Sequence, residues 1–186
     1  MKRFFWSRGA KTVYAIVGVG LVLAAGWVAY RINFPDAGML QVGERAGNWS
    51  LKTPAGETLS FYEHSGDKPS LILFWATWCP SCGRLMPELA RLEASMPAGS
   101  FNFYALNVNE DGDPVAYFRE HGYGFHLLLD ADKVEDLYGT FGTPRVFLVD
   151  GDKTVRYTRK AGVSVAQTID ELQTGLAELG VHPSGT

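Results

Sequence analysis

A long uncharged apolar stretch opens the chain, and shorter apolar segments follow it at intervals. Residues 12–30 carry no charged side chain. These 19 residues match the roughly 20 that a helix needs to cross a bilayer core. Four basic residues precede the stretch: Lys2, Arg3, Arg8 and Lys11. Because positive charge favours the cytoplasmic side, the pattern predicts a cytoplasmic basic segment at residues 1–11 and a single-pass membrane anchor at residues 12–30.

A cleaved signal peptide is the alternative interpretation of the same stretch. Ala24-Ala25-Gly26 offers small residues of the kind that precede a cleavage site. Apolar residues continue beyond that site to Tyr30, which favours a retained anchor. Both interpretations place the rest of the chain outside the cytoplasm. The expected location is the inner membrane, with the folded domain in the periplasm.

The remaining pattern predicts one α/β domain at residues 48–180, between a linker at residues 31–47 and a tail at residues 181–186. The linker is predicted from its glycine, proline and alanine content. Apolar segments predict strands near residues 49–51, 58–62, 69–75, 101–108, 125–129, 145–149 and 154–158. Apolar residues at helical spacing predict one helix that begins at residue 80. Three further helices are predicted at residues 114–121, 132–138 and 164–179. This order predicts a mixed central sheet flanked by helices.

Composition narrows the class of function. The net charge of −3 leaves no basic patch, so nucleic acid is not an expected partner. About 150 residues beyond the apolar stretch are enough for a domain with its own core. The chain contains only two cysteines, which excludes a framework of several structural disulfides.

Both cysteines lie in one tetrapeptide, Cys79-Pro80-Ser81-Cys82, directly after an apolar run at residues 71–75. A buried strand that leads into Cys-x-x-Cys at the start of a helix is typical of a thiol–disulfide redox site. Cys79 would be the N-cap, where free backbone N–H groups and the helix dipole stabilise a thiolate. Pro80 suits the first helical position, which needs no N–H donor. We therefore expect Cys79 to be an exposed nucleophile and Cys82 a buried resolving thiol.

A structural role for the motif is less well supported. A structural zinc site needs four ligands, whereas the motif supplies two and the four histidines show no ligand spacing. A disulfide that closes so short a loop would add little stability. A redox site without a metal or cofactor is therefore the prediction.

Three segments carry a resemblance to a known family. They are residues 74–82 (FWATWCPSC), residues 141–144 (FGTP) and Pro87, five residues after the second cysteine. Together with the order of elements they resemble a thioredoxin-like fold, and among its members the membrane-anchored TlpA/ResA/CcmG-like thiol–disulfide oxidoreductases. The resemblance covers roughly residues 41–179.

The resemblance implies roles for residues around the cysteines. Pro144 would follow a cis peptide bond and pack beside the cysteines, whereas the residues alone leave an ordinary trans turn proline open. Thr143 and Pro144 would shape a groove for an extended peptide. Trp78 and Pro80 would contact substrates at the same face, and Trp75 is expected in the core.

An acidic residue after the second main strand is a further candidate. Thioredoxin itself has a buried aspartate where this chain has Leu73, and Glu110 fits the glutamate position of the ResA-like branch. A desolvated carboxyl near Cys82 would have a raised pKa and could exchange a proton with that thiol. The alternative is a solvated acidic loop, since Asp111 and Asp113 are close by.

Arg145 directly follows Pro144 and would lie at the rim of the site in this fold. It could steer acidic substrates, or it could be a solvated residue at the start of a strand. The residues alone favour neither interpretation.

These observations predict a membrane-tethered periplasmic disulfide reductase that acts on exported disulfide-containing proteins. Pro80-Ser81 lacks the histidine of strong oxidants, which favours reduction over oxidation. Cytochrome c maturation is one candidate role, with apocytochrome c as the substrate. The resemblance implies a membrane electron donor of the DsbD/CcdA type, because the periplasm is kept oxidising. A thioredoxin-like copper-handling protein is the alternative, but it would have a wider cysteine spacing and a nearby histidine.

Overall fold

The structure, a computed structural model, describes residues 8–33 and 38–184, with side chains at residues 13–30 and 38–184. Parts of three predicted segments lie outside the described residues: 1–7 of the basic segment, 34–37 of the linker and 185–186 of the tail. The chain divides into two compact units after Ala37, and each is described by itself.

The first unit contains one helix, α1 (Arg8–Asn33). Its stretch Val13–Tyr30 is long and apolar enough to cross a membrane, judged by length and composition. Large apolar side chains such as Leu21 and Val22 are exposed along it. These properties fit the predicted anchor, and a signal sequence would share them.

The second unit is built on a mixed five-stranded sheet. A separate hairpin contains β1 (Ser50–Lys52) and β2 (Thr58–Ser60). The five strands of the sheet are β3 (Ser70–Trp75), β4 (Asn102–Asn107), β5 (His126–Leu128), β6 (Arg145–Val149) and β7 (Val155–Thr158). Its helices are α2 (Phe61–Ser65), α3 (Pro80–Ser95), α4 (Pro114–His121), α5 (Asp132–Leu137) and α6 (Val165–Glu178). The sheet order is β5-β4-β3-β6-β7, and β1 pairs with β2. Strands β5, β4 and β3 run parallel to one another. Strand β6 pairs antiparallel with β3, and β7 pairs antiparallel with β6. The predicted mixed sheet flanked by helices is confirmed.

Strand β3 lies at the centre of the sheet and every one of its residues is buried. Side chains alternate between the two faces of a strand. Leu71, Leu73 and Trp75 therefore join one hydrophobic cluster, and Ile72 and Phe74 join another. Burial on both faces explains why this segment is uniformly apolar. Its carboxyl end leads directly to the cysteine motif.

Helices α4 and α6 begin with the capping chemistry that the sequence predicts. Asp113 caps α4, where its carboxylate accepts the backbone N–H groups of Val115 and Ala116. Ser164 caps α6 in the same way through the N–H of Gln167. Pro87 lies inside α3, as the sequence indicates.

The return strand predicted for residues 58–62 is shorter than expected. Strand β2 ends at Ser60, and Phe61 begins the short helix α2. Phe61 is fully buried and stacks on Trp49 with ring centroids 5.0 Å apart. The ring also contacts Tyr104, so the first residue of α2 is part of the hydrophobic core.

The predicted linker and tail are also shorter than expected. Within the predicted linker, Met39 and Ala46 are buried. The backbone N–H of Ala46 donates to the carbonyl of Lys153 at 2.8 Å, so residues 38–47 are part of the folded unit. In the predicted tail, Val181 is buried and the N–H of Ser184 donates to the carbonyl of Ser95 at 2.8 Å. Glycine and proline content indicated loops correctly, but loops can pack on a domain.

Candidate redox site

The cysteine motif lies where β3 ends and α3 begins. The N–H of Cys79 donates to the carbonyl of Ala76 at 3.2 Å, which forms the turn between strand and helix. Cys79 is the N-cap of α3, and Pro80 lies at the start of the helix, as predicted. Cys79 and Cys82 form a disulfide with their Cα atoms 5.3 Å apart. The Cys79 sulfur also accepts the backbone N–H of Cys82 at 3.2 Å, as expected for a sulfur at a helix N-terminus.

The two cysteine residues differ less in exposure than the sequence indicated. Cys79 is 5% exposed and Cys82 is 1% exposed, so the expectation of an exposed Cys79 is wrong for this oxidised form. Both cysteines belong to the hydrophobic cluster that contains Leu85 and Met86 on the inner face of α3. Trp78 is half exposed beside them, whereas Trp75 is fully buried, as predicted.

The loop before β6 provides the other side of the site. The Thr143–Pro144 peptide bond is cis, which confirms the conformation implied by the family resemblance. Pro144 is buried and Thr143 is half buried. Both line a groove that also includes Ser81 of the cysteine motif. The predicted substrate-contacting residues of this loop are therefore brought together with the motif.

The carboxylate of Glu110 holds the turn that precedes the cysteines. It accepts five hydrogen bonds, which come from Thr77 N–H and Oγ1, the Asn107 amide and the N–H groups of Asp111 and Gly112. Burial acts to raise the pKa of Glu110, but the hydrogen bonds from Thr77, Asn107 and Gly112 outweigh it and lower the pKa to about 2.

The raised pKa expected for Glu110 is therefore wrong. So many donors stabilise the ionised form that the carboxyl is fully charged at the pH where thiols titrate. A carboxylate of this kind fixes the geometry of the Thr77 turn. Its five hydrogen bonds distinguish it from a solvated loop residue, and its lowered pKa opposes the protonated state that the proposed proton exchange with Cys82 requires.

A second group of polar contacts connects the turn before the cysteines with the loop before β6. Trp78 donates its indole N–H to the carbonyl of Asn109 at 2.7 Å. The side-chain amide of Asn109 donates to the carboxylate of Glu135 at 2.7 Å, and the N–H of Gly142 donates to the same carboxyl group. Glu135 is 8% exposed and belongs to α5.

Asn109 and Glu135 are site residues that the sequence did not indicate. The distinguishing feature of Asn109 is its backbone, which is visible in the structure and not in the sequence. Its φ of 49° is a left-handed conformation that asparagine tolerates better than most residues. Glu135 lies in a short helix with Asp132 and Asp136 and has the pattern of an ordinary surface acid.

Two arginines lie beside the cis-proline. Arg145 is 5% exposed, so the alternative of a solvated residue at a strand start is wrong. Arg159 is 9% exposed and donates to the carbonyls of Pro144 (3.4 Å) and Val163 (2.6 Å) and to the hydroxyl of Thr168 (3.0 Å). The sequence did not indicate Arg159, because nothing in its local pattern separates it from other basic residues near strand ends.

The site offers no clustered metal ligands. Within residues 13–30 and 38–184, no group of three or more histidine, cysteine or acidic side chains is arranged to hold a metal ion. Leu73, at the position where thioredoxin has a buried aspartate, is fully buried in the apolar cluster under the motif.

Comparison with known proteins agrees with this geometry. Residues 42–158 match the sequence model of the AhpC/TSA family. The chain is 30% identical over 151 residues to the thiol-disulfide oxidoreductase ResA of Halalkalibacterium halodurans, a match that covers 80% of this chain and 82% of the relative. It is also 30% identical over 171 residues to a thiol:disulfide interchange protein DsbE homolog of Paracoccus denitrificans, covering 85% of this chain and 90% of the relative.

Solved structures show the same fold. A thioredoxin-family thiol:disulfide interchange protein from Chlorobium tepidum superposes with a TM-score of 0.61 at 21% identity, covering 73% of this chain and 98% of that one. The thioredoxin domain of a thiol-disulfide oxidoreductase from Bacteroides vulgatus has the same TM-score of 0.61 at 21% identity, covering 72% and 98%. The chain therefore belongs to the AhpC/TSA family, and within it to the thioredoxin-like thiol–disulfide oxidoreductases of ResA/DsbE type.

Proposed function

We propose that the protein is a membrane-tethered disulfide reductase that acts on exported polypeptides through Cys79 and Cys82. The observation that carries this proposal is the cysteine pair at the N-terminus of α3, whose tetrapeptide contributes Ser81 to the groove lined by Thr143 and Pro144. Nucleophile and peptide-binding loop are then on the same face. Reduction potentials in this fold span roughly −270 to −120 mV, so the direction rests on the Pro80-Ser81 pair, which lacks a histidine.

The first step is attack on the substrate disulfide. In the reduced protein the Cys79 thiolate attacks one substrate sulfur, and a Cys79–substrate mixed disulfide forms. The other substrate sulfur leaves as a thiolate and takes up a proton. Placement of Cys79 at the N-cap favours its thiolate through the helix dipole and the N–H of Cys82.

The second step closes the protein disulfide. The Cys82 thiol loses its proton, and the resulting thiolate attacks the Cys79 sulfur; the substrate sulfur leaves as a thiolate and takes up a proton. Two electrons pass to the substrate, and the Cys79–Cys82 disulfide remains. The 5.3 Å separation of the two Cα atoms lies within the range that a disulfide requires, which supports this step.

The protein must then be reduced again. We propose a membrane dithiol donor of the DsbD/CcdA type, which returns two electrons and two protons by the same exchange chemistry. Helix α1 would keep the domain beside that donor. Exported proteins with accessible disulfides are the proposed substrates, and apocytochrome c, whose Cys-x-x-Cys-His sites must be reduced before haem attachment, is the more specific candidate.

The reduction potential of the Cys79–Cys82 pair tests the direction of the reaction. The full-length protein in detergent is equilibrated with defined thiol–disulfide buffers, and its oxidised fraction is measured. We expect a potential nearer to about −270 mV than to about −120 mV. A value close to that of a strong oxidant would contradict the reductase function and indicate disulfide formation instead.

A further inference from the structure

A groove of about 440 Å³ runs beside the redox motif, and three of its lining residues are arginines. Ser81 and Pro144 belong to its lining, so the groove reaches both the cysteine motif and the cis-proline loop. Its arginines are Arg84, Arg145 and Arg159, and no acidic residue is among the described residues that line it. A cleft lined by charges of one sign attracts ligands of the opposite sign.

Arg159 is the most informative of the three because it is 9% exposed and donates to neutral groups. Those groups are the carbonyls of Pro144 and Val163 and the hydroxyl of Thr168. Burying a charge without a counter-charge carries a desolvation penalty. A carboxylate that entered the groove would offset part of that penalty.

The other two arginines add positive charge to the same place. Arg145 is 5% exposed, and burial together with its nearby charge lowers the pKa of Arg159. Arg84 is exposed on the first turns of α3 and donates to the Ser81 hydroxyl at 2.9 Å. It thereby stands beside the redox motif itself.

Acidic side chains also line a neighbouring surface. Glu88 and Asp170 line a second groove on the other side of Arg84. Glu88 forms an ion pair with Arg91. The described residues that line the first groove include no acidic side chain, so neither Glu88 nor Asp170 is part of it.

We propose that this groove is a subsite for an acidic side chain of the substrate polypeptide, close in sequence to the cysteine that reacts with Cys79. The inference rests on the proposed function and adds a substrate preference to it. Arginine binds carboxylates through paired N–H donors, which fixes orientation as well as adding attraction. An acidic residue held there would help to orient the neighbouring substrate cystine over the motif.

The surroundings favour a polypeptide over a small disulfide. Thr143 also lines the groove, and among the described residues its N–H and C=O make no backbone–backbone hydrogen bond. An extended peptide could pair with them as an added strand. Phe141, half exposed in the same groove, offers an apolar contact for the next substrate side chain.

The test uses the reduced full-length protein in detergent and two cystine peptides that differ by Glu or Gln beside one cysteine. We expect kcat/KM to be about tenfold higher for the Glu peptide at low ionic strength. The ratio should fall toward one as salt is added. The Arg84→Gln variant should lower the ratio severalfold. Arg119→Gln, which removes an equal charge from exposed α4, should keep it.

The outcomes separate this inference from the proposed function. Equal rates for the two peptides would overturn the subsite and leave the reductase intact. If neither peptide is reduced, the reductase function is wrong, and the dithiol peptides are then offered to the oxidised protein. In that oxidation reaction, a higher rate for the Glu peptide supports the subsite, and equal rates for the two peptides overturn it. Faster reaction with oxidised glutathione than with the Glu peptide would overturn the polypeptide assignment.

Discussion

The carboxylate of Glu110 accepts the backbone N–H of Thr77 at 3.0 Å, across 33 residues of sequence. This bond, with the one from the Thr77 hydroxyl, joins the loop after β4 to the turn that leads into Cys79. Both loops lie at the carboxyl ends of neighbouring parallel strands, where such contacts are expected. The position of the motif therefore depends on a carboxylate that is far from it in sequence.

Replacement of Glu110 by Gln should destabilise the domain in a pH-dependent way. Its folded pKa of about 2 lies below the ordinary value of 4.5, so the charged form contributes stability above pH 4.5 that is lost as the pH falls through this range. After allowance for solvent screening, we expect Glu110→Gln to lower the free energy of unfolding by about 1–2 kcal/mol near neutral pH. Denaturant unfolding at neutral and acid pH measures the difference, which should shrink in acid.

The neighbouring Asp111→Asn variant is the matched control, since Asp111 is exposed and its N–H, not its carboxylate, bonds to Glu110. It should leave stability almost unchanged. Thiol titrations of wild type and Glu110→Gln should show no proton shared between Glu110 and Cys82. A coupled titration that Glu110→Gln removes would restore Glu110 as a proton carrier.

Glu135 should respond to pH in the opposite direction. Burial raises its pKa; the hydrogen bonds from Asn109 and Gly142 lower it, and the charges of Asp132 and Asp136 raise it further. Because the folded pKa is raised, wild-type stability falls as the pH rises through the ordinary carboxyl range. Glu135→Gln, whose amide oxygen can accept the same donors, should be more stable than wild type near neutral pH. The advantage should vanish in acid.

The same unfolding series checks this prediction. A Glu135→Gln variant that loses stability near neutral pH, as Glu110→Gln is expected to do, would show that the buried group acts as a charged acceptor. Glu135→Ala is the second comparison. It leaves the Asn109 amide and the Gly142 N–H without their acceptor, and we expect it to lose about 1–3 kcal/mol.

Local sequence predicted the parts of the site that are built by adjacent residues. Strand β3, the turn and Cys79 follow one another, so a uniformly apolar run and a Cys-x-x-Cys were enough to place the cysteines. The cis bond before Pro144 could be predicted only from the family resemblance, because most X-Pro bonds are trans.

Long-range contacts decided the parts that could not be predicted. Glu110 had the right position but the wrong pKa, since its donor Thr77 lies on another loop. Arg159 reaches the carbonyl of Pro144 across 15 residues, through the β6–β7 hairpin. Spacing in the sequence can indicate that an acid or a base is near a site. Which donors and acceptors surround it depends on how the loops pack.

Replacement of Gly139 by Ala should show that residues 38–47 are part of the domain. Gly139 has a φ of 61°, and an added Cβ would overlap the carbonyl oxygen of Gly38. Gly180 is the control, because it has a φ of 79° but open space around its Cα. Both alanine variants should lose about 1 kcal/mol from the left-handed backbone. Gly139→Ala should lose about 1–3 kcal/mol more from overpacking.

Thermal or denaturant unfolding compares the two glycine variants. Equal losses would mean that the segment around Gly38 can move away at no cost. In that case residues 38–47 would behave as the linker that composition indicated.

Helix α1 should remain attached to the mature protein. The stretch Val13–Tyr30 is long enough to span a bilayer, which is more than a signal-peptide core needs. We expect the protein in the carbonate-washed membrane fraction with its original N-terminal region. Ala24→Leu should change nothing. A soluble product that begins near Gly26 or Trp27, and that Ala24→Leu abolishes, would identify a cleaved signal peptide instead.

The two cysteines should differ in reactivity even though both are buried in the disulfide form. Cys79 lies at the N-cap of α3, where its sulfur accepts the N–H of Cys82 and meets the positive end of the helix dipole. Its exposed fraction of 5%, against 1% for Cys82, also favours attack from outside. We expect brief alkylation of the reduced protein near neutral pH to modify Cys79 first, as mapped by peptide mass. Preferential labelling of Cys82 would reverse the two roles.

A pair of serine variants tests the same assignment through the reaction itself. In Cys82→Ser, Cys79 can attack a substrate disulfide, but the mixed disulfide cannot be resolved and should accumulate. Cys79→Ser differs by one sulfur at the other position of the motif and should trap almost nothing, because Cys82 is 1% exposed. Non-reducing electrophoresis, with and without a dithiol, measures the trapped complexes. Equal trapping by both variants would mean that Cys82 also reaches substrates and that burial in α3 does not separate the nucleophile from the resolving thiol.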